Sequence, residues 1–118
     1  MSLHISLRYS DGIIETRLLP DIELAIYRVV QEALTNIRRH STATRAAITL
    51  IEDDETITAE ITDNGHGFDP NRAAGFGLEG MHERAELAGG TLEVVPARSD
   101  GRGTTVRLVV PAKHRRPM

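Results

Sequence analysis

The sequence predicts a two-layer α/β sandwich in which a mixed sheet is covered on one face by helices. Three observations predict it: strand-like segments come in pairs, two amphipathic segments separate those pairs, and the regular strand and helix alternation of a doubly wound sheet is missing.

Residues Ile5 to Arg8 alternate apolar and polar, and Asp11-Gly12 supplies turn chemistry before Ile13 and Ile14 resume, so a hairpin is expected there. After Leu19-Pro20-Asp21, apolar residues fall at Ile22, Ala25, Ile26, Val29, Val30, Ala33, Leu34 and Ile37, a period near 3.6. This is a long helix. Asp21 and Glu23 suit its positive end and Arg38, Arg39 and His40 its negative end, and Ser41 to Thr44 break the pattern. Arg45 to Ile51 and Thr56 to Thr62 are β-branched and alternating, and Glu52 to Glu55 between them fit a tight, exposed connection of an antiparallel pair. A polar, glycine-rich stretch from Asp63 to Gly77 leads to a second helix. Its buried stripe would be Leu78, Met81, Ala85 and Ala88, and Gly89-Gly90 stop it. Leu92 to Val95 and Thr104 to Val110 close the chain as another strand pair around the turn-rich ARSDGRG.

The 118 residues make about one ordinary domain, with a core from about Leu3 to Pro111 and a short basic tail over 112–118. Such a chain buries roughly two-thirds of its unfolded surface on folding. With 17 acidic and 14 basic side chains the net charge is −3, which disfavours nucleic acid as a partner. Two Phe, two Tyr and no Trp leave the packing to aliphatic residues. Having no cysteine, the chain has no disulfide framework, zinc-thiolate site or cysteine nucleophile, and a cytoplasmic setting is the simpler expectation. No apolar run approaches the ~18 to 20 residues of a membrane span, and the start lacks the apolar region of a signal peptide.

Several residue patterns could carry chemistry, and each also has a plain structural reading. On the long helix Arg28, Glu32, Asn36 and His40 follow one another at i, i+4 and form a polar stripe beside the apolar face. Glu32 and Asn36 are either part of a solvated face or a hard-oxygen site, with the Asn carbonyl as a Mg²⁺ ligand and Glu near the metal's water or acting as a base. In Asp63-Asn64-Gly65-His66-Gly67, Asn-Gly alone signals a turn. Placed at a strand end, however, Asp63 could accept a hydrogen bond from an exocyclic amine such as that of adenine. Gly75-Phe76-Gly77-Leu78-Glu79-Gly80 matches G-x-G-x-x-G in letters, but the preceding strand and following βαβ unit of a dinucleotide site are absent. What remains is a glycine segment leading into a helix whose free N–H groups can hold phosphates, or a plain connecting loop. Gly103-Thr104-Thr105 at a strand start either brings a hydroxyl near a ligand or favours β structure. His82-Glu83 is followed by Glu86 where a zinc protease needs a second His, and neither a G-x-S-x-G elbow nor a P-loop occurs.

Together, YRVVQEALTNIRRHS, DNGHGFDP, GFGLEGMHERAELAGG and GTTVRLVVP closely resemble the ATP-binding catalytic domain of two-component sensor histidine kinases. The resemblance runs over nearly the whole chain. The wider group includes type II topoisomerases, heat-shock chaperone ATPases and mismatch-repair ATPases, and implies a Bergerat-type sandwich. The QEALTN segment with its Arg-Arg-His end, the short lid and GLEGMHERAELAGG are most similar to kinases paired with LuxR-like response regulators.

The resemblance implies that Asn36 ligates Mg²⁺, that Glu32 lies near the metal and phosphates, and that Arg39 and His40 approach the phosphates. It makes Asp63 the acceptor for the adenine amine, helped by Gly65, Gly67 and a water held by Thr104 or Thr105. Gly75, Gly77 and Leu78 would bound a mobile lid from about Phe68 to Phe76. ATP and Mg²⁺ are the implied cofactors. The implied partners are a dimerisation domain that presents the phosphoaccepting histidine and a cognate response regulator that receives the group on an aspartate. No upstream helix with such a histidine is present, and His4 precedes a strand, so this chain alone is expected to bind ATP, to remain monomeric and not to autophosphorylate. It is expected to make no membrane contact, although the parent protein could be membrane-anchored. Two other readings share the fold: a serine kinase acting as an anti-sigma factor, and a nucleotide-sensing module without transfer. GMHERAELAGG favours the histidine kinase.

Overall fold

The computed structural model describes residues 2–9, 20–53, 55–67 and 77–112. In chain order the elements are strand β1 (Ser2–Tyr9), helix α1 (Pro20–His40), strands β2 (Arg45–Glu52) and β3 (Thr56–Asp63), helix α2 (Leu78–Leu87), and strands β4 (Thr91–Pro96) and β5 (Thr104–Pro111). The five strands form one sheet in the order β1-β2-β3-β5-β4. β1 runs parallel to β2 and every other pairing is antiparallel, so the sheet is mixed as expected. β2 with β3 and β4 with β5 are antiparallel pairs of strands that are consecutive in the chain. The expected return strand at Ile13 and Ile14, the lid from Phe68 to Phe76 with Gly75, and the tail from Lys113 lie outside the described residues.

α1 forms where its apolar period meets the sheet. Ile22, Ala25, Val29, Ala33 and Ile37 are its buried residues. They share one cluster with Ala46 and Ile48 of β2, Ile57, Ala59 and Ile61 of β3, Leu92 of β4, Val106, Leu108 and Val110 of β5, and Met81 and Ala85 of α2. Every buried hydrophobic side chain among the described residues is aliphatic or Met, as the scarcity of aromatics requires. α2 ends in a Schellman motif: the Gly90 N–H donates to Ala85 O at 2.7 Å and the Gly89 N–H to Glu86 O at 2.9 Å, with Gly89 at φ +78°. Gly-Gly therefore stops this helix by satisfying its last carbonyls.

The β2–β3 connection corrects one expectation. The exposed connection expected over Glu52 to Glu55 starts one residue later, because Glu52 ends β2 on the inward face and is only 6% exposed. Strand alternation decides this, because Glu52 stands two, four and six residues beyond Leu50, Ile48 and Ala46, all on the helix side. The turn itself is built by Asp53, whose Oδ1 accepts the N–H groups of Glu55 at 2.9 Å and Thr56 at 2.7 Å. Those two donors hold its carboxyl below the usual value of 3.8. The sheet's other face is polar at its centre, where Arg107 reaches Glu93 at 3.0 Å and Glu60 at 3.6 Å. No helix among the described residues is long and apolar enough to cross a membrane.

Two stability predictions follow from these contacts. Leu108→Ala, at a position 0% exposed, should cost about 2–5 kcal/mol in urea denaturation, whereas Leu87→Ala, 86% exposed, should stay within about 0.5 kcal/mol. Because the folded pKa of Asp53 is depressed, its contribution is present above the unfolded pKa and lost as pH falls through the folded value. Asp53→Ala should therefore lower the urea midpoint at neutral pH, and the gap from the native chain should narrow as pH falls below the ordinary carboxylate range. A gap independent of pH would refute that origin.

Candidate functional site

The polar residues singled out in the sequence gather along the C-terminal half of α1. Glu32, Asn36 and His40 follow each other at about 6 Å per step along the helix axis. Glu32 and Asn36 are half-buried beside the apolar face, and Arg39 and His40 are exposed in the last turn. One end of this row meets α2 and the other meets the end of β3.

At the α2 end, Gly77 is the N-cap residue in the left-handed region at φ 67°, with no side-chain cap. A Cβ on Gly77 would collide with Glu32 Oε1 and stand 2.8 Å from its Cδ. The Glu32 carboxylate thus lies against the start of α2, where the free N–H groups and positive end of a helix favour negative charge. Leu78 follows, half-buried and packed against the core.

At the β3 end, Asp63 is the last strand residue. It lies on the inward face with Ile57, Ala59 and Ile61 and is 8% exposed. Its Oδ1 accepts the Gly65 N–H at 2.8 Å. Gly65, Gly67 and Gly103 let backbone segments pack closely at this strand end. A Cβ on Gly65 would clash with Ser41 Oγ and stand 3.0 Å from Asp63 Oδ1, and one on Gly103 would stand 2.6 Å from the Asp63 carbonyl. Gly67, at φ +100°, packs against the Gly101 carbonyl. The Gly103 N–H donates to Gly65 O at 2.9 Å, which joins the turn after β3 to the start of β5.

Sheet register separates the two threonines. Thr104 is the Cα partner of Asp63 and shares its side of the sheet. Thr105 pairs with Thr62 and turns to the other face, where the two hydroxyls are 2.9 Å apart. A hydroxyl that assists Asp63 directly therefore belongs to Thr104. The register is long-range information that GTT by itself does not contain.

Two features escaped the sequence reading. Asn64 binds backbone of residues some twenty positions earlier, with nothing local to signal it beyond the Asn-Gly turn. The contact between Glu32 and Gly77 joins two segments whose separation in sequence hides it. Among the described residues no three His, Asp or Glu side chains converge as a metal cage. An apolar hollow of about 270 Å³, lined by Asp21, Leu24, Ala25, Arg84, Leu87 and Ala88, lies at the opposite end of α1 and shares no residue with this site.

The family described as histidine kinase-, DNA gyrase B- and HSP90-like ATPase matches residues 21–114, which include both ends of the site. The chain belongs to this family. The ATPase domain is 43% identical over 99 residues to the sensor histidine kinase YxjM of Bacillus subtilis, covering 84% of this chain and 24% of that protein. It is 37% identical over 99 residues to the sensor histidine kinase LiaS of the same organism, covering 82% and 27%. The chain thus spans about a quarter of the length of these relatives. Among solved structures it is similar to the mycobacterial sensor histidine kinase MprB, with a TM-score of 0.67 at 21% identity over 96% of this chain and 84% of that one. The ATP binding domain of PrrB from Mycobacterium tuberculosis matches with a TM-score of 0.61 at 23% identity, over 93% and 80%. Their likeness extends to the fold, which is the expected Bergerat-type sandwich. The ATPase domain is of the histidine-kinase catalytic type.

Gly77→Ala should destabilise the ATPase domain by at least about 1–2 kcal/mol through its left-handed backbone alone. Adding Glu32→Ala should recover the steric part, so the double variant loses less than the sum of the singles in urea denaturation. Strict additivity would mean that Glu32 does not press on Gly77.

Proposed function

We propose that this domain binds Mg-ATP and donates the γ-phosphoryl group to a histidine on a separate dimerisation domain, from which a response regulator takes it. The observation that carries the reading is the buried Asp63 carboxylate at the strand end, at one end of the polar row on α1 whose other end meets the start of α2. A buried acceptor beside apolar strand residues suits a flat, hydrogen-bond-donating ring. A row of polar side chains that ends at a helix N-terminus suits a chain of phosphates.

In this reading Asp63 accepts the amine of adenine, with one carboxylate oxygen oriented by the Gly65 N–H and Thr104 alongside to hold a water. Gly65 and Gly67 keep side chains out of the ring's way. Asn36 offers an amide oxygen and Glu32 a carboxylate, hard donors that fit a small divalent cation completed by phosphate oxygens and water. Mg²⁺, when bound, would neutralise the phosphates and orient the γ-phosphorus for in-line attack. Arg39 and His40 add positive charge or donors from the last turn of α1, and Gly77 and Leu78 form the start of α2. The histidine nitrogen of the partner domain then forms its bond to the γ-phosphorus as the bond to the bridging oxygen breaks and ADP departs. Little covalent chemistry falls to the ATPase domain itself, which acts by positioning and charge. The domain works as a monomer on the cytoplasmic side, with the dimer supplied by its partner domain.

Replacing the acceptor tests the adenine assignment. Asp63→Asn should weaken ATP and ADP binding by about tenfold or more, because a hydrogen bond to a charged group contributes about 1.5–3 kcal/mol. Unchanged affinity in a folded variant would refute the role of Asp63. For the metal, Asn36→Ala should weaken ATP binding in the presence of Mg²⁺ more than in its absence, as followed by calorimetry. Equal losses in both conditions would remove Asn36 from the metal site. Transfer of phosphate from labelled ATP to a supplied histidine domain separates the kinase from a module that only binds nucleotide.

A further inference from the structure

Asn64 stands next to the proposed adenine acceptor and has no assigned role. Its side chain clasps two parts of the fold. Asn64 Oδ1 accepts the N–H groups of Thr44 and Arg45, both at 2.9 Å, and Nδ2 donates to Thr44 Oγ1 at 3.0 Å. Its own N–H donates to Arg45 O at 3.3 Å. Two backbone donors on one atom fix which end of the carboxamide is oxygen. The β2–β3 ladder ends at the pair Ala46 and Asp63, so the Asn64 side chain continues the pairing where the regular ladder stops.

What this clasp holds is the immediate setting of Asp63. The loop from Ser41 to Thr44 leaves the C-terminus of α1 and enters β2. Ser41 Oγ accepts the Ala43 N–H at 3.0 Å and fills the space that a side chain on Gly65 would take. Gly65 in turn supplies the N–H that orients Asp63 Oδ1. If Asn64 released the loop, the Asn64-Gly65 turn would lose its anchor on one side and the angle of the carboxylate would relax. His66 adds a weaker tie to the same loop, with Nδ1 3.3 Å from Thr42 Oγ1. We propose that Asn64 is a positioning residue that sets the Asp63 carboxylate for discrimination of adenine from guanine, acting through the loop between α1 and β2. The inference rests on the reading of Asp63 as the adenine acceptor.

The test is calorimetric titration of the native chain, Asn64→Ala, Asn64→Asp and Asp63→Asn with ATP and with GTP, each with and without Mg²⁺. Asn64→Ala should lose about tenfold in ATP affinity and most of its preference over GTP, the scale of a misaimed hydrogen bond to a carboxylate. The gain in affinity from Mg²⁺ should persist, because Asn64 holds the loop at Thr44 and Arg45, whereas the proposed metal donors Glu32 and Asn36 lie on α1. Asn64→Asp should restore the preference, since a carboxylate accepts both N–H groups and the Thr44 hydroxyl as well. A folded Asn64→Ala with native selectivity, or an Asn64→Asp as unselective as the alanine variant, overturns the proposal. If Asn64→Ala does not fold, Asn64→Ser, which keeps one acceptor, is judged by the same criteria. A harmless Asp63→Asn would overturn the underlying reading, whereas a damaging Asp63→Asn beside a harmless Asn64→Ala overturns this inference alone.

Discussion

The packing of α1 on the sheet is the constraint on which the rest of the structure depends. One 21-residue helix carries an apolar stripe from Ile22 to Ile37 and a polar row from Glu32 to His40 on adjoining faces. Because a helix is a stiff cylinder, burying the first stripe leaves the second no freedom of rotation. The same contacts that exclude water from Val29 and Ala33 therefore set the direction in which Glu32 and Asn36 project. The core and the site are two sides of one helix.

Close backbone approach is the second requirement, and it explains why glycine recurs where it does. Gly65 leaves room for Ser41, Gly77 for Glu32 and Gly103 for the Asp63 carbonyl. Gly77 and Gly103 also have positive φ, which a side chain would strain. These glycines bring the ends of α1 and β3 and the starts of β5 and α2 into contact without intervening side chains. A buried carboxylate and a helix N-terminus can then lie at the two ends of one row.

The parts of the fold legible in the sequence were those with a local cause. The 3.6 period identified α1, alternation identified β2 and β3, and Gly89-Gly90 marked the end of α2 because the Schellman motif needs only neighbouring residues. The inward turn of Glu52 was obscured by its place in a run of four acidic residues, although alternation from Ala46 pointed inward. Position in space was the harder part. That Thr104 and not Thr105 stands beside Asp63 follows from sheet register, and that Asn64 clasps Thr44 and Arg45 follows from β2 and β3 being neighbours. Neither is written in a short motif. The candidate residues themselves were legible because family resemblance joined weak patterns that spacing alone left open.

The central claim is that nucleotide is held along the C-terminal half of α1, with adenine at Asp63 and phosphates toward the start of α2. Amide chemical-shift mapping by NMR during titration with ATP tests it most directly, with GTP as the control. The account predicts saturable shifts concentrated from Glu32 to Arg45, from Asp63 to Gly67 and at Gly77 and Leu78, with GTP far weaker and the Leu24 and Leu87 hollow unmoved. Shifts centred on that hollow, or equal responses to ATP and GTP, would contradict it.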